Sequence, residues 1–111
     1  MWFNRYLDVS DMRGLVRYER LMTVWLQQTN HLSSPKQIMQ HDAVQRLVDL
    51  QDIAVGMTIG RLARGDVQIH YMLLLREITG ENPVPAEDAG RVRAMVEWWL
   101  GCGHMKGWLV E

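Results

Sequence analysis

The chain has 111 residues, 48% of them hydrophobic and 23% charged, with a formal net charge of −1. This length and composition predict one globular domain with a single core, spanning residues 1–111, and leave no room for a second domain. The near-neutral charge argues against a protein that coats nucleic acid nonspecifically. The single cysteine, Cys102, excludes an intramolecular disulfide and favours a reducing, cytoplasmic environment.

Residues 1–9 contain the aromatic side chains Trp2, Phe3 and Tyr6 without a helical period. We expect a flexible N-terminal arm that packs over the core or onto a partner. Charge follows within this stretch, at Arg5, so it does not predict a secretory signal.

A first helix is predicted from Ser10 or Asp11 to about Gln28, because serine and aspartate are favoured N-caps and apolar residues then recur at helical spacing. Its apolar stripe consists of Leu15, Tyr18, Met22, Trp25 and Leu26.

The opposite side of this helix carries three arginines, Arg13, Arg17 and Arg20, together with Gln27. Arginines at i, i+4 and i+7 can each present a forked donor to a phosphate or a carboxylate, which makes this face a candidate site for nucleic acid or a partner protein. The alternative is a solvated face, with acidic side chains nearby at Asp11 and Glu19.

A long central helix is predicted over about residues 35–64. Three start signals coincide, since Ser34 can cap the helix, Pro35 takes its first position and Gln37 completes a capping box. At the other end, Gly65 tolerates the left-handed conformation that closes a helix. Charges flank too short an apolar run for a membrane span.

The second half of the central helix carries the small residues Gly56, Gly60 and Ala63 between two apolar faces. Each glycine costs about 1 kcal/mol relative to alanine in a helix interior, so we expect another helix to approach closely there. These three residues are therefore a candidate helix-packing or dimer contact. A helix that is apolar nearly all round is hard to bury in so short a chain, which predicts a homodimer.

A third helix, largely buried, is predicted from Val67 to Ile78, and prolines at 83 and 85 break the chain after it. A fourth helix is predicted from Pro85 to Leu100, followed by a C-terminal tail, 101–111, that begins at glycine-rich residues. No strand pattern is present. The predicted fold class is all-α, a compact bundle of about four helices around the long central one.

The fourth helix places Trp98 away from its core stripe, near Arg91. A monomer would expose most of this indole, so Trp98 and Arg91 are candidate contacts to a partner. The alternative is that the segment 104–110, with its own Trp108, folds back and covers Trp98. The sequence weights the two interpretations equally.

We find no sequence pattern for catalysis. His31, His41 and His70 are scattered, and Cys102 with His104 lacks a second ligand pair, so no metal site, catalytic residue or cofactor is predicted. The glycines of the central helix lack the lysine of a phosphate-binding loop. We expect a protein that is not an enzyme.

Several segments in order resemble small phage antitermination proteins of the Q type. These are Tyr18-Glu19-Arg20-Leu21-Met22 with Trp25, Ile59-Gly60-Arg61-Leu62, Tyr71 with Leu73-Leu74, and Val96-Glu97-Trp98-Trp99-Leu100-Gly101. The resemblance implies a transcription regulator that binds DNA and RNA polymerase through a helix-turn-helix-like segment. In this chain the corresponding interval, between Tyr71 and Val96, is short and contains Pro83 and Pro85, so a recognition helix of the usual length does not fit.

These observations predict a small regulatory protein of a phage or mobile element that binds a host protein in the bacterial cytoplasm. An excess of arginine over lysine, ten to two, is typical of GC-rich coding sequences and agrees with such an origin. The alternative is a DNA-associated transcription regulator or antiterminator that contacts RNA polymerase. No membrane partner is predicted, and a homodimer is compatible with both functions.

Overall fold

The computed structural model describes residues 9–108 of the chain, with side chains described from Met12 onward. This range contains six α-helices and one 3-10 turn, joined by loops. The predicted all-α class is confirmed, and no strand occurs in this range. The predicted arm, residues 1–9, lies outside it except for Val9. The helices are α1 (Val9–Thr29), α2 (Pro35–Met39), α3 (Asp42–Asp49), α4 (Asp52–Ala63), α5 (Ile69–Thr79) and α6 (Val92–Lys106).

Helix α1 forms as its periodicity predicts, and its apolar stripe enters the core. Tyr18, Met22 and Trp25 are fully buried, and they are among the largest buried side chains of the described protein. The indole nitrogen of Trp25 donates a hydrogen bond of 2.9 Å to the carbonyl oxygen of Ile38, which ties α1 to α2.

The prediction of one continuous helix over 35–64 is wrong, because the chain forms α2, α3 and α4 there. The predicted start is confirmed, since the Ser34 hydroxyl accepts a hydrogen bond of 3.4 Å from the Gln37 amide. The first break comes at His41, whose Nδ1 accepts a hydrogen bond of 3.0 Å from the Ala43 amide. The imidazole thus caps α3, a role more usual for serine, threonine, aspartate or asparagine.

The second break is a sharp turn at Gln51, the only non-glycine residue in the described range with a positive φ, 51°. After this turn Ile53 packs against Gly14 of α1, where an added Cβ atom would lie 2.5 Å from the Ile53 Cδ1 atom. Any larger residue at position 14 would displace Ile53. A strained turn therefore accompanies close packing between α1 and α4.

Helix α4 is the central element, because it packs against α1, α5 and α6. Its core-facing residues include Ala54, Val55 and Ile59, all buried. The buried hydroxyl groups of Tyr18 and Thr58 form a hydrogen bond of 2.8 Å between α1 and α4. This arrangement buries the apolar side of α4 within a single chain, so the burial argument for a homodimer no longer applies.

The predicted bounds of the fourth helix are wrong at both ends. Residues Ala86–Asp88 form a 3-10 turn, and α6 begins only at Val92 and continues to Lys106. Gly101 and Gly103 lie inside the helix; Gly103 faces Ile59 of α4, where an added Cβ would lie 3.3 Å from two Ile59 carbon atoms. The left-handed residue that closes the helix is Gly107, with a φ of 79°. Most of the predicted tail is therefore helical.

We expect Gln51→Gly to stabilise the protein. Glycine adopts a positive φ without a steric penalty, so the substitution should raise the free energy of unfolding by about 1 kcal/mol despite the greater freedom of the unfolded chain. Urea denaturation followed by circular dichroism measures this change.

The control for this measurement is Gln27→Gly, at an exposed helical position of α1. It should lower the free energy of unfolding by ~0.5 kcal/mol. Equal destabilisation by both substitutions would contradict the assignment of strain to Gln51.

Candidate functional site

The three arginines predicted as a basic face are all exposed on the outer side of α1. Arg13, Arg17 and Arg20 form no ion pair with any residue in the described range, and Gln27 is exposed beside them. The outer face of α1 therefore has the geometry that its helical spacing predicts.

Glu19, expected near this face, instead binds Arg61 of α4. The distance from Glu19 Oε1 to Arg61 Nη2 is 2.6 Å, the shortest ion pair of the described residues. On the helix, Glu19 lies on the side of α1 that approaches α4 rather than among the arginines. The side chain of Asp11 is outside the described set. Glu19 is therefore engaged elsewhere and contributes little to neutralising Arg13, Arg17 and Arg20.

Arg61 is the centre of a polar cluster that joins three helices. Its Nη1 atom lies 3.0 Å from the Tyr71 hydroxyl and 3.3 Å from Asp66 Oδ2, and the Tyr71 hydroxyl donates to the same Asp66 oxygen at 2.7 Å. The guanidinium carbon also lies 5.6 Å from the centre of the Tyr18 ring and 5.7 Å from that of Tyr71. Both distances suit cation–π attraction.

The electrostatics of this cluster keep Arg61 charged and the tyrosines protonated. Burial opposes the charge of Arg61, but the hydrogen bond with Tyr71 and the neighbouring Tyr18 and Glu19 raise its pKa above the ordinary value. Burial raises the pKa of Tyr18 to about 12, and burial together with the hydrogen bond to Asp66 raises the pKa of Tyr71. The Arg61 side chain is only 15% exposed. Both terminal nitrogens have hydrogen-bond partners and only the buried Nε has none, so the cluster holds the fold together and leaves little for a ligand.

Trp98 of α6 is 46% exposed, in agreement with its predicted position away from the core stripe of the helix. Its indole nitrogen donates a hydrogen bond of 2.8 Å to Asp88 Oδ2, and the other Asp88 oxygen accepts one of 3.4 Å from Arg91. The 3-10 turn thus fixes the edge of the ring. Nearly half of the Trp98 surface and most of the Arg91 side chain remain open to solvent.

The C-terminal part of the described chain does not cover Trp98. Residues up to Lys106 continue α6, and Trp108 packs against the core instead. One and two turns beyond Trp98, Gly101 and Met105 are also exposed, and Met105 is 86% exposed. Trp98, Gly101 and Met105, which we call the α6 stripe, form an apolar strip along the outside of the helix.

The predicted helix-packing residues Gly56, Gly60 and Ala63 lie on the surface side of α4. An added Cβ at Gly56 would meet nothing within 4 Å, and one at Gly60 would meet only the Arg64 side chain, at 3.3 Å. No described helix packs closely on these residues. The glycines that closely face a side chain of another helix are Gly14 and Gly103, neither of which was predicted to be a packing contact. A homodimer through Gly56, Gly60 and Ala63 stays a prediction.

His70, at the start of α5, is a buried histidine held against α1. Its Nε2 lies 2.8 Å from the Thr29 hydroxyl, and that hydroxyl donates its own hydrogen to the Trp25 carbonyl, so Nε2 must carry the proton of the neutral ring. The ring meets Trp25 edge to face at 4.9 Å. The other nitrogen, Nδ1, is buried without a hydrogen-bond partner. Burial lowers the pKa of this imidazole.

The described residues offer no arrangement typical of an active site. Two open depressions, of about 420 and 360 Å³, border α2 and are lined mainly by exposed polar side chains and Met39.

Burial and the nearby Glu81 raise the pKa of the Cys102 thiol, which reduces its reactivity. Within residues 9–108, no group of three or more His, Cys, Asp or Glu side chains is placed to hold a metal ion. None of the helices there combines the length and apolar character needed to cross a membrane.

Comparisons of the chain with models of protein families, with curated proteins and with solved structures find no match in any of the three.

We expect Arg61→Gln to destabilise the protein strongly. The substitution leaves Glu19, Asp66 and Tyr71 without their shared donor, and we estimate a loss of about 2 kcal/mol in the free energy of unfolding, less than for a fully buried ion pair because both carboxylates are partly exposed. Urea denaturation measures the loss.

Two further variants separate charge from geometry in this cluster. Glu19→Gln, which removes only a half-exposed partner, should cost about 0.5 kcal/mol. Arg61→Lys should remain well below the parent, because an ammonium group cannot reproduce the forked contacts. Full recovery with lysine would show that the contacts of the guanidinium are unimportant.

We also expect stability to fall as the pH drops below about 6.5, the ordinary pKa of histidine. The pKa of His70 is lower in the folded than in the unfolded protein, so the unfolded chain binds more protons in the interval between the two values. Stability then falls by at most ~1.4 kcal/mol per pH unit and levels off below the folded-state pKa.

The measurement is the urea midpoint of the parent and of His70→Gln from pH 8 to pH 5, with His31→Gln as the control at an exposed histidine. The step below 6.5 should shrink in His70→Gln and persist in the control. An identical pH profile in all three proteins would exclude His70 as its source.

Proposed function

We propose that this chain is a small, non-enzymatic regulatory protein of a phage or mobile element, and that it acts by binding a host protein in the bacterial cytoplasm. The observation that carries the proposal is the half-exposed Trp98 of the α6 stripe, whose indole nitrogen is held by Asp88. Tryptophan and arginine are the residue types most enriched at the energetic centres of protein interfaces.

The contact with Asp88 makes Trp98 a better anchor than an ordinary exposed indole. Its only polar group is already satisfied at 2.8 Å, so the ring face can enter an apolar pocket without leaving a donor unpaired. The fixed orientation also reduces the side-chain entropy lost on binding. Arg91, beside it, retains most of its donors for a carboxylate or carbonyl group of the partner.

The non-enzymatic part of the proposal is supported by the chemistry of the described residues. The buried ionisable groups Arg61, Tyr18 and His70 are engaged in contacts between helices, and none of the three lines either depression. A catalytic site needs reactive groups that converge on an accessible space. In the described residues, these buried groups and the two depressions are in different places.

A second candidate function is a DNA-associated regulator that contacts RNA polymerase. The row of Arg13, Arg17 and Arg20, which form no ion pair with any described residue, favours it, together with the resemblance to antitermination proteins of the Q type. The part between α5 and α6 weighs against base readout, because it contains only a 3-10 turn of three residues, Ala86–Asp88, and no recognition helix. Binding to DNA by the arginine row should weaken steeply with salt.

Trp98→Ala should abolish capture of the partner. The experiment is a tagged pull-down from nuclease-treated bacterial lysate, followed by reconstitution with the purified captured protein. Loss of a central indole should weaken binding at least about tenfold. Trp98→Phe, which keeps a ring but not the donor, should retain part of the affinity.

The matched control is Ile69→Ala, which truncates an exposed apolar side chain of α5 elsewhere on the surface. It should bind like the parent. Capture that is equal in Trp98→Ala and the parent would refute this surface, and capture of nuclease-sensitive material alone would favour the DNA-associated function.

A further inference from the structure

Aliphatic side chains lie among the arginines on the outer face of α1. Met12, Val16 and Val24 are 52%, 55% and 37% exposed. At helical spacing, Val24 continues the row of Arg13, Arg17 and Arg20, while Met12 and Val16 form a second row beside it. We call these six residues the α1 face.

The α1 face carries three arginines that form no ion pair with any described residue. Glu19 lies on the side of α1 next to α4 and is held by Arg61 at 2.6 Å. Arginines spaced by one turn repel one another, which costs the isolated helix a few tenths of a kcal/mol per pair. A partner with carboxylates at matching positions would remove that repulsion and form charge-assisted hydrogen bonds.

The aliphatic side chains distinguish between the two kinds of partner that could supply negative charge, a nucleic acid and an acidic protein. A phosphate backbone satisfies arginines but gains nothing from Met12, Val16 or Val24, which would stay in contact with water or polar groups. A protein partner that presents carboxylates beside leucine-like side chains satisfies both rows at once. The composition of the α1 face therefore complements an amphipathic acidic surface better than it complements nucleic acid.

We infer that the α1 face binds an acidic amphipathic helix of a partner protein. From Met12 to Val24 the face is about 18 Å long, the length of somewhat more than three helical turns. A helix with carboxylates at i, i+4 and i+7 and aliphatic residues in the neighbouring row matches this length and spacing. The inference does not require Trp98, so it stands or falls separately from the proposed function.

The test uses the full chain and a designed helical peptide of about four turns, with glutamates at i, i+4 and i+7 and leucines in the adjacent row. A second peptide has glutamine in place of each glutamate, and a random-sequence DNA duplex serves as the phosphate probe. Fluorescence anisotropy at low and at moderate salt measures binding to all three probes.

The variants are Arg17→Glu and Val16→Ser on the α1 face. The control is Arg93→Glu, which makes the same charge change at an exposed position of α6. Trp98→Ala is measured beside them. All variants are compared with the parent by circular dichroism, and analytical ultracentrifugation reports self-association.

The expected result is that the glutamate peptide binds more tightly than both other probes. Its affinity should fall about tenfold in Arg17→Glu, fall measurably in Val16→Ser, and stay unchanged in Arg93→Glu and Trp98→Ala. Absence of peptide binding overturns the inference, as does tighter binding of DNA that ignores Val16→Ser. Self-association that Arg17→Glu abolishes would also overturn it, because the occupant would then be a second copy of the chain.

Discussion

The guanidinium of Arg61 is the interaction on which the rest of the structure depends. It sits in the last turn of α4, where positive charge suits the helix dipole, and contacts Glu19 of α1, Asp66 of the following turn and Tyr71 of α5. A nearly buried cation is tolerated only when such partners replace its lost hydration. The positions of these three segments are therefore coupled, and the tight contact of Gly14 with Ile53 lies on the same interface between α1 and α4.

The same interaction shapes the charge of the surface. Glu19 is the acidic residue of α1 nearest in sequence to Arg17 and Arg20, and helical spacing places it on the side of the helix facing α4, where it pairs with Arg61. The α1 face, on the other side of the helix, carries arginines and aliphatic side chains. The pairing of Glu19 with Arg61 gives this carboxylate an internal partner, which a count of charged residues along α1 cannot reveal.

The sequence predicts those features that depend on local spacing. The extents of α1 and α5, the cap at Ser34, the exposure of Arg13, Arg17 and Arg20, and the outward position of Trp98 all follow from helical periodicity. The breaks at His41 and Gln51 do not, because one depends on an imidazole that caps a helix and the other on a positive φ at a residue that is not glycine.

The early end predicted for the fourth helix is wrong because glycine often ends a helix. Gly101 and Gly103 instead lie inside α6, and Gly103 leaves room for the side chain of Ile59. The bonds of Trp98 to Asp88 and of Arg61 to Glu19 join separate elements, so no local pattern contains them.

Gly56 and Gly60 of α4 lie away from the contacts of α4 with α1 and α6. Ile53 faces α1 and Ile59 faces α6, and at 100° per residue these two positions lie about 120° apart around α4. Gly56 and Gly60 fall within the arc between them, which is the side of α4 that solvent reaches. No other helix of the described residues packs closely on them, so they do not bring two helices together there. The α1 face and the α6 stripe therefore lie on helices that pack against different sides of α4.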